Sequence, residues 1–511
     1  MRGRRFLLFP PMANAKKYAT RAAIIIVGTY LALLVPDQQA PVQLPDHAAT
    51  ARQPFAWNED AFWESLEARY RELRTTSCES RRQAVASSVL RVQALLRSIQ
   101  KKRLDPSAPE LGELERRMFE IAPLVGGCSR ELPAYVQARE DLRIAIKKQS
   151  EHWDMKSDAA RTTLYRLLYG TRAAVEEAML QMPAVASIHA LVNGVAEPSQ
   201  TPWEEVRGVK IHSGDLLVSR GSVPTSALIA RGSDFPGNFS HVALVYVEPK
   251  THRARIVEAL SEQGVVVSSL DEYGKDTKFR IMVLRPRADL PQMIRDPMLP
   301  HKAVERAYKN VTEKHVPYDF EMNYHDHSKL FCSEVASAAY EAYGINLWMG
   351  ISYLSSPGLR RWLSGLGAKY FETQEPSDLE YDPQLRVVAE WRNLETLRKD
   401  RLDNAVTEVM LEGAERGEAL SYHWYLLPPT RLAKAYSVAL NRFGKVGPIP
   451  EGMSASTSLR TLAYMHRHER IYKKLEMKTG QFTAQRGYEP PYWELLKLTR
   501  SSMSEEEGRG K

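Results

Sequence analysis

Between residues 215 and 284 the chain carries a series of short, β-branched, apolar runs: Asp215-Leu216-Leu217-Val218, Val242–Val247, Ile256-Val257, Gly264–Val267 and Phe279–Leu284. Each is bounded by turn-forming residues, and runs of this length and composition read as strands. On either side, apolar residues recur instead at three- and four-residue steps, the spacing of a helix with one buried face. The change of period from helix to strand and back predicts an α+β protein with an antiparallel sheet, flanked by N-terminal and C-terminal helical regions.

Phe62, Leu66, Tyr70 and Leu73, then Val85, Val89, Val92, Leu96 and Ile99, form the stripes of a helical hairpin or bundle spanning about residues 55–195. Asn58 is the expected N-cap, with Glu59 and Asp60 just inside, and Gly126-Gly127 interrupts the array. A further helix is expected from Ser157 to about Ala186, and Glu197–Pro202 reads as a linker into a sheet-bearing unit at 205–372. Within that unit a helix is expected over Lys302–Lys309. Beyond Pro376, Leu385, Val388, Trp391, Leu394 and Leu397 share one helical stripe, so residues 376–500 are expected to be helical. The tail 501–511, rich in Ser, Glu and Gly, is expected to be disordered. A length of 511 residues accommodates about three such units.

The net charge of +8, from 70 basic and 62 acidic residues, is spread along the chain without a basic stripe, which excludes nucleic acid as the expected partner. At the amino terminus Arg2, Arg4, Arg5, Lys16, Lys17 and Arg21 precede any acidic residue, and the apolar run Ala22–Val35 follows. That run is shorter than the roughly 20 residues of a membrane-spanning helix and matches a signal-peptide core. Residues 1–40 are therefore expected to be a signal peptide or an N-terminal membrane anchor, with the remainder exported to the periplasm or beyond the cell. In the anchored case residues 22–35 hold the chain to the inner membrane. Pro36–Pro41 offers no small-x-small cleavage site, and Met12 would begin a more compact signal. Two partitions of the three cysteines stay open: a Cys78–Cys128 disulfide beside a free Cys332, as suits an oxidising compartment, or unrelated buried thiols. Nothing in the sequence fixes an oligomeric state.

His241 opens the apolar strand Phe239–Val245, and Cys332 opens the small-residue helix Phe331–Tyr340. A thiol near its ordinary pKa of roughly 8.5 is mostly protonated at neutral pH, but a helix N-terminus and a neighbouring imidazolium both favour the thiolate. The pair reads as a nucleophile and its base. Nucleophilic catalysis also needs a group to hold the imidazole and donors for the oxyanion. The Cys332 backbone N–H is one expected donor. If residues 248–255 form a hairpin connection, a register with 241 opposite 260 sets Glu258 diagonally beside His241 on one face; Glu262 and Gln263 are the alternatives. Tyr318 and Asp319 are expected to line the substrate cleft or fix its loop, and Ser240 and Ser333 flank the pair as further expected substrate contacts without being essential. His325-Asp326-His327 has poor spacing for zinc with Cys332, and no metal or cofactor is expected.

Ser240-His241-Val242 and Cys332-Ser333-Glu334, with Gly214-Asp215-Leu216-Leu217-Val218 upstream and Val316-Pro317-Tyr318-Asp319 between them, resemble the circularly permuted branch of the NlpC-type papain-like cysteine hydrolases. These are the YiiX/YaeF-like amidases, distant relatives of lecithin retinol acyltransferase. The similarity covers about residues 207–370, roughly a third of the chain. The resemblance implies a permuted papain-like core in which the histidine strand precedes the cysteine helix. It also implies a polar third residue on the strand after the histidine strand, here Glu258, and acyl transfer through a thioester. With water as acceptor the enzyme is a cysteine hydrolase of amide or ester bonds, with cell-wall peptides the implied substrate outside the cytoplasm. The alternative is an acyltransferase or lipase-like enzyme acting on lipid acyl groups. An apolar tunnel beside Cys332 would favour lipids, and a polar open groove peptides. A third reading, a non-catalytic helical scaffold with a relic core, requires Cys332 to lie beyond reach of His241.

Overall fold

The computed structural model describes residues 13–35, 54–55, 60–182, 190–275 and 277–509. The expected N-cap Asn58, the alternative start Met12 and the Pro36–Pro41 stretch lie outside these residues. Ala13–Ala32 forms helix α1. No helix among the described residues is long and apolar enough to cross a membrane.

The amino-terminal helical unit comprises α2 (Asp60–Leu73), α3 (Cys78–Gln100), α4 (Pro109–Val125), α5 (Leu132–Ser150), α6 (Asp158–Leu164), a π-helical turn over Tyr165–Gly170, and α7 (Thr171–Leu180). Ser77 caps α3 by accepting from the Ser80 N–H at 3.2 Å. Below that cap the stripe Val85, Val89, Val92, Leu96 and Ile99 is buried, as its spacing dictates. α4 stops at Gly126, and Gly127 follows with φ +79°, a left-handed turn that a glycine takes without strain. The turn carries Cys128 back to the start of α3, where it forms a disulfide with Cys78 across a Cα–Cα distance of 5.6 Å.

The central sheet has seven strands in the order β1-β11-β8-β4-β5-β6-β7, and every neighbouring pair is antiparallel. Its strands are β1 (Leu191–Asn193), β4 (Leu216–Gly221), β5 (His241–Val247), β6 (Ala254–Leu260), β7 (Gly264–Ser269), β8 (Lys278–Pro286) and β11 (Leu385–Arg392). Two minor hairpins lie outside it: β2 (Trp203–Val206) with β3 (Val209–His212), and β9 (Ser352–Tyr353) with β10 (Glu372–Thr373). α8 (Pro224–Arg231) follows β4. One face of the sheet, with Val218, Val242, Leu244 and Val257, packs on α9 (Leu299–Glu313) and α10 (Cys332–Glu341) through Ala303, Val304, Val335 and Ala339. The other face, with Leu217, Ala243, Val245 and Ile256, packs against Val209, Ile211 and Tyr273.

The Gly214-Asp215 signature proves to be structural. Gly214 sits at φ +96° so close to Pro300 that a Cβ would collide with it. Asp215 is buried and binds Arg285 through both carboxylate oxygens, each at 2.7 Å.

Two expectations about the flanks are corrected. Leu385–Arg392 is a strand, so the sheet-bearing unit runs past residue 372, and β1 joins the same sheet from the segment assigned to the helical region. The physical reason is that Leu385, Val387 and Ala389 alternate inward with period two, while Val388 falls in a bulge between the Val387–Leu284 and Ala389–Val283 pairs. The helical pattern begins only at α12 (Leu394–Glu415), where the Asn393 side chain accepts from the Thr396 N–H at 2.9 Å. After α11 (Pro357–Leu366) and α12 come α13 (Leu427–Asn441), α14 (Ala455–Arg486) and α15 (Tyr492–Arg509). Helix α15 includes most of the tail expected to be disordered. Leu495, Thr499, Ser502 and Met503 are buried, and Glu505 and Glu506 meet Lys478 and Lys474 of α14, each at 2.6 Å. Composition alone does not reveal a basic partner face.

The units are joined by a buried ionic cluster centred on Glu390 of β11, which is fully buried. Arg143 (3.6 Å), Arg172 (3.9 Å), Arg280 (3.6 Å) and Arg392 (3.7 Å) surround its carboxylate. Burial opposes its charge, but the arginines outweigh that and hold it well below the usual carboxylate range. Removing one partner of such a cluster leaves uncompensated buried charge. Glu390→Gln is expected to lower stability by about 3 kcal/mol, read as a shift of the urea midpoint; an unchanged midpoint would show that the cluster does not hold the units together.

Candidate active site

β5 runs antiparallel to β6 with Ala243 opposite Glu258, the register that sets residue 241 against 260. Glu258 thus projects on the face that carries His241, and its Oε2 lies 2.8 Å from His241 Nε2. Ser268 of β7 donates to Glu258 Oε1 at 2.7 Å, so both carboxylate oxygens are engaged. α10 begins at Cys332, whose buried sulfur faces the His241 side chain and the Val242 backbone N–H. With Nε2 committed to Glu258, the ring nitrogen left for the sulfur is Nδ1. Tyr273 flanks the imidazole, ring centroids 6.5 Å apart.

The electrostatics follow from this chain of contacts. Burial opposes charge on His241, but its hydrogen bonds to Cys332 and Glu258 and their negative charges outweigh burial and raise its pKa to about 9. Burial likewise opposes the Cys332 thiolate; the His241 hydrogen bond and charge, with the Val242 N–H, lower its pKa below the ordinary thiol value. Burial disfavours the Glu258 carboxylate too, and the His241 hydrogen bond and charge, then Ser268, hold it low. All three shifts act in the same sense, favouring thiolate, imidazolium and carboxylate over their neutral forms.

Glu334 at the third position of α10 is a further determinant that sequence reasoning passed over. Its Oε2 accepts from the Phe331 N–H at 2.7 Å, closing the helix start. Burial raises its pKa to about 9, with the charges of Asp319 and Cys332 adding to the effect against the Phe331 hydrogen bond. It is therefore uncharged at neutral pH and does not repel the thiolate.

The remaining expected residues take lesser places. Tyr318 and Asp319 line the cleft, and Asp319 fixes its loop by accepting from the backbone N–H groups of Glu321 (2.9 Å) and Asn323 (2.6 Å). Ser240 borders the cleft but is buried, accepting from the Gly221 N–H at 3.4 Å to tie β5 to β4. Ser333 is fully buried and does not line the cleft, because the second position of α10 turns inward; as a substrate contact it is corrected. Glu262 and Gln263 lie along the cleft, and the partner of His241 is Glu258. Among the described residues no group of histidine, cysteine and carboxylate side chains could hold a metal ion. The cleft also presents Gln374 and Glu375, buried residues from a segment without periodic signal.

A family model described as permuted papain-like amidase enzyme, YaeF/YiiX, C92 family, matches residues 210–389. That segment, about a third of the chain, resembles the permuted papain-like amidases, which are enzymes of the cysteine amidase type. No curated protein matches the chain.

The shifts define a pH window. Lowering the Cys332 pKa makes the thiolate available below the ordinary thiol range, and raising that of His241 keeps the ring protonated until pH approaches about 9. Alkylation of Cys332 by iodoacetamide is expected to be well advanced at neutral pH in the wild type and to need more alkaline solution in His241→Ala. Superimposable pH–rate curves would mean the imidazole does not act on the sulfur.

Proposed function

We propose that the protein is a cysteine hydrolase that cleaves amide or ester bonds of substrates carrying an apolar acyl chain, through a thioester on Cys332. The observation that carries this reading is the position of the Cys332–His241–Glu258 chain on a cleft of about 840 Å³, part of whose wall is a continuous set of aliphatic side chains. Leu228, Leu363, Leu366, Met453, Leu462 and Met465 make up that set. An aliphatic chain released from water there gains about 0.8 kcal/mol per buried methylene. The cleft thus supports the lipid-acyl substrate class over the peptide class.

In this reading the Cys332 thiolate attacks the substrate carbonyl carbon, and the backbone N–H of Cys332, in the first turn of α10, faces the developing oxyanion. As the bond to the leaving nitrogen or oxygen breaks, imidazolium Nδ1–H protonates it, leaving a thioester and neutral His241. His241 then takes a proton from water, the resulting hydroxide attacks the thioester, and the sulfur departs as thiolate. Glu258 holds Nε2–H throughout, fixing tautomer and orientation and stabilising the imidazolium. We further infer that the enzyme works outside the cytoplasm: the Cys78–Cys128 disulfide and the basic, acid-free leader both suit an exported chain.

A chromogenic acyl-ester and acyl-amide series from acetyl to dodecanoyl tests this. The expected result is kcat/KM rising by roughly fourfold per methylene until the cleft fills, with an acyl adduct on Cys332 by intact-mass measurement. Activity surviving Cys332→Ala, or a preference for muramyl peptides over long acyl chains, would overturn the reading. Glu258→Gln is expected to lower kcat by about 100-fold or more and to move the alkaline limit of the pH profile below about 9, since the lost carboxylate no longer raises the His241 pKa. An unmoved limit would remove Glu258 from the mechanism.

A further inference from the structure

Helix α13 is built the wrong way round for a helix on a water-soluble surface. The residue it buries at its centre is Ser437, whose hydroxyl donates to the Ala433 carbonyl and accepts from the Ile449 N–H, both at 3.0 Å. The residues it turns to solvent are apolar: Leu432 is 63% exposed, Tyr436 59% and, just past its end, Phe443 79%. With Ala435 and Ala439 these recur at helical spacing and form one continuous stripe. At the amino-terminal end of α13 the loop adds exposed Trp424, Tyr425 and Leu426. Helix α1 extends the same surface: Tyr30 Oη donates to the Tyr425 carbonyl at 3.3 Å and Arg431 Nη1 to the Leu33 carbonyl at 2.9 Å, while Ile24, Ile25, Val27 and Leu31 stand exposed.

Charge tells which partner this surface fits. From Ala419 to Pro450 there is no acidic residue, whereas Arg431, Lys434, Arg442 and Lys445 are basic. Arg442 and Lys445 are exposed on either side of Phe443 and Gly444, which puts cations beside the most protruding aromatic ring. The leader is likewise free of acids before Asp37. Apolar and aromatic side chains interleaved with cations, with acids absent, match the boundary of an anionic bilayer: rings and aliphatics enter the acyl region while cations meet the headgroups.

We propose that the exposed face of α13, its flanking loops and α1 form a docking surface for anionic membranes. The surface borders the cleft, because Pro450 lies on the cleft wall and its carbonyl accepts from Lys434 of α13 at 2.7 Å, and α14, which packs against α13, supplies Leu462 and Met465 to that wall. On the acyl-hydrolase reading, on which this second step rests, docking opens the cleft toward the bilayer, so that a lipid acyl chain enters without crossing water.

Flotation of the full chain with phosphatidylcholine vesicles, with and without one-third phosphatidylglycerol, tests the surface. Binding is expected with the anionic vesicles and to weaken as salt rises. The variant Leu432→Ser/Tyr436→Ser/Phe443→Ser is expected to lose roughly tenfold or more of the partitioning, while Leu90→Ser, which alters an exposed apolar residue of α3, is expected to keep it. Arg442→Glu/Lys445→Glu changes only an exposed loop and is expected to abolish the preference for anionic vesicles, which keeps the test decisive if the triple variant does not fold. Equal flotation on both vesicles, wild-type binding in both α13 variants, or a wild-type dimer in sedimentation that the triple variant disperses would overturn the proposal, the last by assigning the face to a second copy. Turnover of a soluble short-acyl ester in the same samples keeps the two readings apart: intact turnover without vesicle binding defeats the docking surface alone, and vesicle binding without turnover defeats the hydrolase alone.

Discussion

The antiparallel register that sets Ala243 opposite Glu258 carries the candidate site. A strand's side chains alternate between faces, so slipping this pairing by one residue would turn Glu258 away from His241 and into the packing of the opposite face. The register is held by more than its own ladder. On one face Leu244 and Val257 must meet α10, and on the other Val245 and Ile256 must meet the Val209–Ile211 strand, so a slip would put apolar residues and a carboxylate in each other's places. The packing that makes the sheet also fixes the only arrangement in which imidazole, carboxylate and sulfur fall in line.

That arrangement was readable because each part has a local signature. β-branched runs bounded by turns mark the strands; a histidine at a strand start and a cysteine at a helix start mark where two elements meet; the hairpin length between β5 and β6 limits the register. Less legible were features that depend on distant partners. In sequence β11 resembles a helix, because a bulge at Val388 lets period-two burial pass for a stripe of three-residue steps, and its place in the sheet depends on β8 lying alongside. The tail is helical because α14 presents Lys474 and Lys478 to it. Ser333 adjoins the nucleophile in sequence, yet helical geometry turns it inward. Glu334, Gln374 and Glu375 announce nothing by periodicity, since their roles come from burial beside the sulfur.

The family-matched segment ends at residue 389, yet the cleft does not. Met453, Leu462 and Met465 come from the carboxy-terminal helices, while the amino-terminal helices send Arg143 and Arg172 to Glu390 beneath the sheet. The flanks therefore divide the labour. One side neutralises a buried carboxylate of β11, and the other adds to the hydrophobic wall that Leu228, Leu363 and Leu366 of the matched segment begin. Chemistry common to many hydrolases is in this way given a shape by segments outside the common core.

The partition of the cysteines has a consequence for how such an enzyme ages. With Cys78 and Cys128 tied to each other, Cys332 is the single thiol in the chain. A peroxide that converts its thiolate to a sulfenic acid meets no resolving cysteine to trap that state as a disulfide, so further oxidation leads to sulfinic and sulfonic acids that small thiols do not reverse. Rescue must come from outside, by a diffusing thiol reaching the sulfenic acid first. The route it would take is the cleft itself, and a bound substrate there would shield the sulfur from oxidant and reductant alike.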